Sequence, residues 1–326
     1  MRADGAALIP GLHDHHAHLL AMAAARDSVS LTDVGDAASL DRTVADAHAT
    51  ADADRWLRIV GYDDHVHGPL DRHRLDALAP GRPVRVQHRS GAAWVLSGAA
   101  IAAVGHVDTS DRSDDGGRSI GPEGWVHRAD PALVDAWPRP DIDLAAVGRR
   151  LARFGVTGVT DATPTSDAEA FDVLAAAHRS GALPQHVTVT GGAALAGHRV
   201  PPLGAGPVKL VVADDDLPSP DALAEGMRAA RAATRPVAVH CVTRVGLAVA
   251  LAAWRDVSAV DGDRVEHAAV APPEMIDALV ALGVRVVTQP GFVATRGDHY
   301  LAEVDADDRP HLWRCRSLIE AGIRVA

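Results

Sequence analysis

Lysine, cysteine and aromatic residues are scarce in this 326-residue chain, and the shortage of cysteine excludes two classes of small protein. Cys241 and Cys315 are the two cysteines, too few for a disulfide framework or for the cysteine spacing of a zinc finger. Arginine and lysine together number 32 against 43 acidic residues, and the formal charge of −11 disfavours nucleic acids and anionic membranes as partners. Lys209 is the single lysine.

Long hydrophobic runs are also missing from the sequence. No stretch is apolar enough to cross a membrane, and the N-terminus lacks the basic and apolar segments of a signal peptide. We therefore expect a cytoplasmic protein with a small-molecule substrate and no membrane partner. Because 47% of the residues are hydrophobic, the chain can fill the core of one large barrel or of two domains.

The N-terminal segment places four histidines and one aspartate between His13 and His18, directly after the turn residues Pro10 and Gly11. If this segment ends a strand, His16 and His18 point to the same side, since residues two apart on a strand share a face. Two neighbouring imidazoles suit a divalent metal such as zinc. The alternatives are a solvated histidine-rich turn and a loose metal-binding tract.

From residue 141 onwards, apolar strand-like segments alternate with helical segments of 10 to 15 residues. This alternation predicts a parallel sheet. With the N-terminal strand the count reaches eight, which favours a TIM-type (β/α)8 barrel over an open doubly wound sheet. The predicted helices cover 141–154, 166–180, 219–234, 244–256, 272–282 and 311–321, and the predicted strands cover 156–161, 186–190, 208–212, 237–240, 264–267, 284–289 and 323–326.

The segment 20–140 does not show this alternation of strand-like and helical segments. It contains helical and strand-like pieces and a stretch rich in Asp, Ser and Gly at 108–124. We interpret it as a long α/β insertion after the first strand, inserted over the barrel mouth, within one barrel domain that spans 1–326.

Side chains that can bind a metal or take part in catalysis lie at the predicted strand ends, where barrel enzymes have their active sites. They are His16 and His18 on strand 1, Lys209 on strand 4, His240 on strand 5 and His267 on strand 6. Each histidine taken singly is more typical of a hydrogen-bonded core residue. An unpaired ammonium within the apolar strand around Lys209 would be costly, and the primary amine can do covalent chemistry that arginine cannot.

These motifs resemble the amidohydrolase superfamily, and most closely its branch of N-substituted formamide deformylase-like hydrolases. The resemblance begins at Pro10-Gly11-Leu12, Asp14 and His16-x-His18, and continues at Val208-Lys209, at Val239-His240 and through Arg264–Ala268. Gln289-Pro290, Trp56–Tyr62 and Gly91–Val95 are similar to further family segments.

The resemblance implies a metal-dependent hydrolase that acts on a carbon–nitrogen bond of a non-peptide amide, formamide or cyclic amide through metal-activated water. His16, His18, His240 and His267 would bind one or two divalent ions, usually Zn²⁺, bridged by carboxylated Lys209. Glu266 and Asp14 are candidates for orienting these histidines, although a salt bridge and a turn cap are equally good interpretations.

The chain also departs from the family pattern. The family's strand-8 aspartate, a ligand and general base, has no counterpart before Ala326, so the catalytic base stays unassigned. We expect a chain truncated at both ends, with strand 8 incomplete, the last helix absent and exposed flanks that favour a homo-oligomer. An inactive remnant that binds only metal or ligand, and an isomerase or decarboxylase on the same barrel, are alternatives.

Five residues are weaker candidates for contacts with a substrate. Arg89 could receive a carboxylate or pair with a surface acid, and Trp94 could line the pocket or belong to the core. The full set is His65, His88, Arg89, Trp94 and Gln289.

Overall fold

The structure is a computed structural model that describes residues 9–52, 54–91, 93–105, 120–127, 136–214 and 216–326. The chain divides into two compact units. The first, here called the catalytic unit, comprises Met1–Leu19 and Leu144–Ala326, and the second, the inserted unit, comprises Leu20–Asp143. Within the described ranges, no helix is both long and apolar enough to cross a membrane.

The catalytic unit alternates strands and helices along most of its length. Its strands are β1 (Leu12–Ala17), β7 (Val156–Asp161), β8 (His186–Val189), β9 (Arg199–Val200), β10 (Leu203–Ala205), β11 (Val208–Val211), β12 (Val237–Cys241), β13 (Arg264–His267) and β14 (Arg285–Val287). Its helices are α6 (Leu144–Arg153), α7 (Ala168–Arg179), α8 (Pro220–Ala232), α9 (Arg244–Val257), α10 (Pro273–Leu282), α11 (Gly291–Glu303) and α12 (Cys315–Glu320).

These strands form two sheets. One has the order β1-β7-β8-β10-β9, and the other is the parallel series β11-β12-β13-β14. A backbone hydrogen bond from Lys209 N on β11 to Gly191 O, just after β8, links the two sheets at 2.9 Å. Apart from the antiparallel strand β9, the strands pair in parallel and in chain order, so that their carboxyl ends share one edge.

The closed (β/α)8 barrel predicted from the sequence is not formed by the described strands. Where the eighth strand is expected, one parallel bridge joins Val325 to Val286 on β14. The Gly- and Pro-rich stretch 191–207 contains the short antiparallel pair β9–β10, which the sequence did not predict. Helix α11 was also missed, because no side-chain cap marks its start at Pro290.

The main core of the catalytic unit lies between the second sheet and helices α8, α9 and α10. Trp254 is fully buried there, and its indole Nε1 donates to Asp263 Oδ2 at 3.0 Å. Cys241 is also fully buried in this core, as expected for a strand residue that follows His240 and faces the opposite side. Burial raises the pKa of its thiol, which suits a packing role.

The inserted unit has its own mixed sheet, of order β2-β3-β4-β5-β6, and its own core. Strands β2, β3 and β4 are parallel, whereas β5 and β6 are antiparallel to their neighbours. The strands are β2 (Val29–Ser30), β3 (Leu57–Tyr62), β4 (Val84–His88), β5 (Ala93–Leu96) and β6 (Trp125–His127), and the helices are α1 (Leu19–Arg26), α2 (Ala37–Thr50), α3 (Asp64–His67), α4 (Arg72–Leu78) and α5 (Gly98–Val104). Its predicted position over a barrel mouth stays a prediction.

Candidate metal centre

The carboxyl end of β1 is held in place by backbone N–H groups that donate to the carboxylates of Asp14 and Asp161. Asp14 Oδ1 accepts from the His16 backbone N–H at 3.0 Å, which is the turn role considered for it. Asp161, at the end of neighbouring β7, is 1% exposed and accepts from Leu19 N (2.7 Å) and Thr163 N (3.1 Å). These contacts fix the chain on both sides of His18.

His16 and His18 lie side by side, with ring centroids 5.3 Å apart. His16 Nδ1 is 2.5 Å from Glu266 Oε2, and His18 Nδ1 is 3.0 Å from Thr163 Oγ1. An ionised carboxylate can only accept, so the contact with Glu266 places the ring proton of His16 on Nδ1. The lone pair of His16 is then on Nε2.

Glu266 is fully buried between a histidine and an arginine. Arg264 Nε donates to Glu266 Oε1 at 2.7 Å, while Oε2 accepts from His16. Burial by itself would raise the pKa of Glu266, but the hydrogen bond from His16 and the charges of Lys209 and Arg264 bring it to about 2. The carboxylate is therefore ionised at neutral pH and can orient the His16 ring.

His240 and His267 form the second half of the cluster. Their ring centroids are 4.5 Å apart, and His267 Nε2 lies 3.0 Å from His240 Nδ1. The centroid of the His267 ring is 4.7 Å from that of His16, which joins the two halves. Gln289 Oε1 is 2.6 Å from His267 Nδ1 and accepts a hydrogen bond from the Nδ1–H group, which leaves the lone pair on Nε2.

The backbone at the end of β13 adopts an unusual conformation. His267 has φ 72° and the following Ala268 has φ 46°, both in the left-handed region that side-chain-bearing residues rarely occupy. Such strain is typical of functional positions, where the surrounding structure holds it. At this point it coincides with a histidine of the cluster.

Burial favours the neutral state of His18, His240 and His267. Burial, reinforced by neighbouring histidines and Lys209, lowers the pKa of His240 to about 4 and that of His267 to about 3. The pKa of His18 is also lowered, first by burial and then by His16. Neutral imidazole is the form that binds metal, because its lone pair is free.

Lys209 lies on β11 beside this cluster and is 7% exposed. Its Nζ has no hydrogen-bond partner among the residues that the structure describes. Burial lowers the pKa of this amine to about 8, although Glu266 acts in the opposite direction. A buried amine without a partner is costly, so the position favours a lysine that is neutral or chemically modified.

These residues fit a divalent metal in several respects. The cluster offers neutral imidazoles, and in two of them the nitrogen pointing away from the cluster is held by Glu266 or Gln289. Ligating histidines commonly donate their second N–H to such acceptors. The close facing of His267 Nε2 and His240 Nδ1 requires either a proton or a cation between the two nitrogens. The partnerless Nζ of Lys209 completes the set.

Of the five candidate substrate residues, Gln289 lies within this cluster. The other four belong to the inserted unit. There, Arg89 Nη1 donates to Asp63 Oδ2 (2.5 Å), and His88 Nε2 lies 3.4 Å from Asp64 Oδ1. Trp94 packs against Trp137 with centroids 5.5 Å apart, which favours the core interpretation. His65 lies on α3, half exposed, near the same Asp64.

Sequence reasoning did not identify Asp161, Thr163 and Arg264 as parts of the site. Asp161 ends a predicted strand, and its position at the carboxyl end of that strand was the signal that could have identified it. The pairing of Arg264 with Glu266, two residues along β13, also follows from strand periodicity. Thr163 carried no signal, because its contact with His18 joins residues 145 positions apart.

Comparison with known proteins identifies the family and the fold of the chain. A family model described as "Amidohydrolase family" matches residues 2–326. An uncharacterized metal-dependent hydrolase from Pyrococcus horikoshii OT3 superposes with a TM-score of 0.70 at 18% identity, covering 96% of this chain and 69% of that one. A second, from Pyrococcus furiosus, gives a TM-score of 0.67 at 19% identity, with coverages of 97% and 72%. No curated protein sequence matches the chain.

Proposed function

Because the chain belongs to the amidohydrolase family, we propose that it is a metal-dependent hydrolase that cleaves a carbon–nitrogen bond of a small molecule. The substrate class we propose is a non-peptide amide, a formamide or a cyclic amide. The single observation that carries the proposal is the clustering of His16, His18, His240 and His267 near Lys209, whose buried amine has no hydrogen-bond partner among the described residues and whose charge acts on three of these histidines.

We propose Zn²⁺, as one or two ions, for this centre. The metal would lower the pKa of a bound water to about 7 and polarise the scissile carbonyl. His16 and His267 would each offer Nε2, and His240 would offer Nδ1, the nitrogen that faces His267. The two similar solved structures are described as metal-dependent hydrolases, which supports the choice of a metal.

Lys209 would enter the centre as a carbamate. Its amine, with a pKa lowered to about 8, is partly neutral at pH 7 and can attack CO₂. The nitrogen–carbon bond forms, one proton leaves to solvent, and the product is an anionic oxygen ligand in place of a buried ammonium. Carboxylation thus removes the cost of the partnerless Nζ.

The residues around the centre would hold its geometry. Glu266, itself fixed by Arg264, keeps the His16 proton on Nδ1, and Gln289 does the same for His267. Asp161 holds the end of β1 through Leu19 N. Gln289 Nε2 is buried and has no partner within the described part of the chain, so it is available to a substrate carbonyl.

We further propose that the two sheets of the catalytic unit are parts of a TIM-type (β/α)8 barrel. The parallel pairings β1–β7–β8 and β11–β12–β13–β14 follow chain order, as barrel strands do. The backbone hydrogen bond from Lys209 N to Gly191 O continues this order from one sheet to the other.

The test is hydrolysis of a panel of N-substituted formamides, cyclic amides and linear amides by the zinc-loaded chain. We expect turnover of at least one class, loss of that turnover in His240→Ala, and little change in His186→Ala, an exposed histidine on β8. Zinc binding without hydrolysis of any panel member would favour the inactive remnant instead. Activity that survives His240→Ala would contradict the proposal.

A further inference from the structure

A cationic cleft of about 520 Å³ lies in the inserted unit, although the chain as a whole is acidic. Its lining comes from the end of α1, the end of α2, the start of β3 and β4, and the segment 138–140. Five arginines line it against three aspartates. The arginines are Arg26, Arg55, Arg58, Arg85 and Arg139.

Two of these arginines are direct neighbours across a pair of strands. Arg58 on β3 and Arg85 on β4 occupy the same register position of parallel strands. The residues flanking them, among them Ile59 and Val86, point to the opposite face and are buried in the core of the unit. Strand alternation therefore directs both guanidinium groups to the cleft side of the sheet.

Arg85 is buried and Arg58 is half-buried, and both guanidinium groups donate their hydrogen bonds to uncharged atoms. Arg85 is 9% exposed, donates from Nη2 to Pro138 O at 3.2 Å and lies over the Trp137 ring at 5.2 Å. Arg58 donates to Ala24 O (3.1 Å), Ser28 Oγ (2.5 Å) and Gln87 Oε1 (3.2 Å). Among the described residues, neither arginine has a carboxylate within ion-pair distance.

The acidic residue that acts on Arg58, Asp27, is already paired with another arginine. Asp27 accepts from Arg55 Nη2 at 2.7 Å, so it offers Arg58 a long-range attraction without a hydrogen bond. Burial and, to a lesser extent, the charge of Arg58 lower the pKa of Arg85 to about 10. The two adjacent guanidinium groups thus repel each other in a partly buried site. Arg85 also has N–H groups for which the described residues supply no acceptor.

We propose that Arg58 and Arg85 form a binding site for a small dianion that carries a phosphate or carboxylate group. A planar guanidinium matches both groups with two parallel hydrogen bonds. The dianion would neutralise the paired charges, and the volume of the cleft admits a small metabolite. This site lies wholly within the inserted unit and does not depend on the metal centre.

Calorimetric titration of the zinc-loaded full chain tests the site. Inorganic phosphate is the probe in one arm and succinate in the other, both at constant ionic strength. We expect saturable one-to-one binding of at least one probe. Arg85→Gln is expected to raise its Kd at least tenfold, whereas Arg42→Gln, an exposed arginine of the same unit, keeps it within twofold.

A second variant covers the case in which Arg85→Gln fails to fold. Arg26 is exposed and lines the cleft, so Arg26→Gln preserves packing and is expected to weaken binding at least threefold. Absence of saturable binding of both probes by the wild-type chain would overturn the proposal. So would phosphate binding that persists in Arg85→Gln and Arg26→Gln but disappears in His240→Ala, because that pattern places the anion at the metal centre.

Discussion

Replacement of Glu266 by glutamine tests whether this carboxylate positions His16 for metal binding. Glu266 is fully buried and accepts from His16 Nδ1 at 2.5 Å and from Arg264 Nε at 2.7 Å. Glutamine has the same shape but has one oxygen acceptor instead of two. One of the two donors therefore faces an NH₂ group, and the His16 ring loses its fixed proton position or Arg264 loses its partner.

The expected magnitude follows from this geometry. Loss of an acceptor behind a ligating histidine weakens metal binding by about 10- to 100-fold, which corresponds to about 1.4–2.8 kcal/mol. Removing Glu266 altogether would leave Arg264 as an unpaired buried charge, at a cost of about 3–5 kcal/mol in stability. The isosteric glutamine is preferred because it separates metal affinity from folding.

The assay is competition for Zn²⁺ between the protein and a chromogenic chelator. Thermal melting of the metal-free chain checks that the variant is folded. Glu274→Gln, on the exposed first turn of α10, is the matched control and is expected to keep the wild-type affinity. A folded Glu266→Gln protein with unchanged zinc affinity would refute the role assigned to Glu266.

Three further predictions concern other buried groups. Lys209→Met removes a partnerless amine, so zinc uptake should fall while the metal-free chain stays at least as stable in urea; a loss of stability would contradict this. Asp161→Asn should cost about 1–3 kcal/mol in unfolding free energy, because a buried acceptor pair is disrupted, whereas exposed Asp172→Asn should be near neutral. Burial raises the pKa of Tyr62 to about 12 from 10.0, so between pH 10 and 12 the unfolded chain loses the phenolic proton while the folded chain keeps it. The unfolding free energy should therefore fall as the pH rises through this window, and the fall should be smaller in Tyr62→Phe.

Much of the catalytic unit could be predicted from sequence because local patterns determine it. Strand-like segments such as 237–240 and 264–267 end in histidines, and parallel strands bring such ends to one edge. The observed proximity of His16, His240 and His267 follows from that rule. Lys209 was identified by its rarity and by the cost of an ammonium within an apolar strand.

Other features depend on contacts that no local pattern encodes. The β9–β10 pair lies in a stretch whose glycines and prolines indicated only turns. The closed barrel was inferred from a strand count, whereas the described strands form two sheets. Arg58 and Arg85 looked like ordinary alternating polar residues of two strands, and their shared register became visible only in three dimensions.

The central claim is that five residues of the catalytic unit bind a divalent metal. Anomalous diffraction from zinc-loaded crystals, recorded on both sides of the zinc absorption edge, locates the ion directly. The account predicts a peak enclosed by the four histidine rings and Lys209, with additional density on Nζ for the carbamate. A zinc peak elsewhere, or none after loading, would contradict it. The residues predicted to enclose the peak are His16, His18, Lys209, His240 and His267.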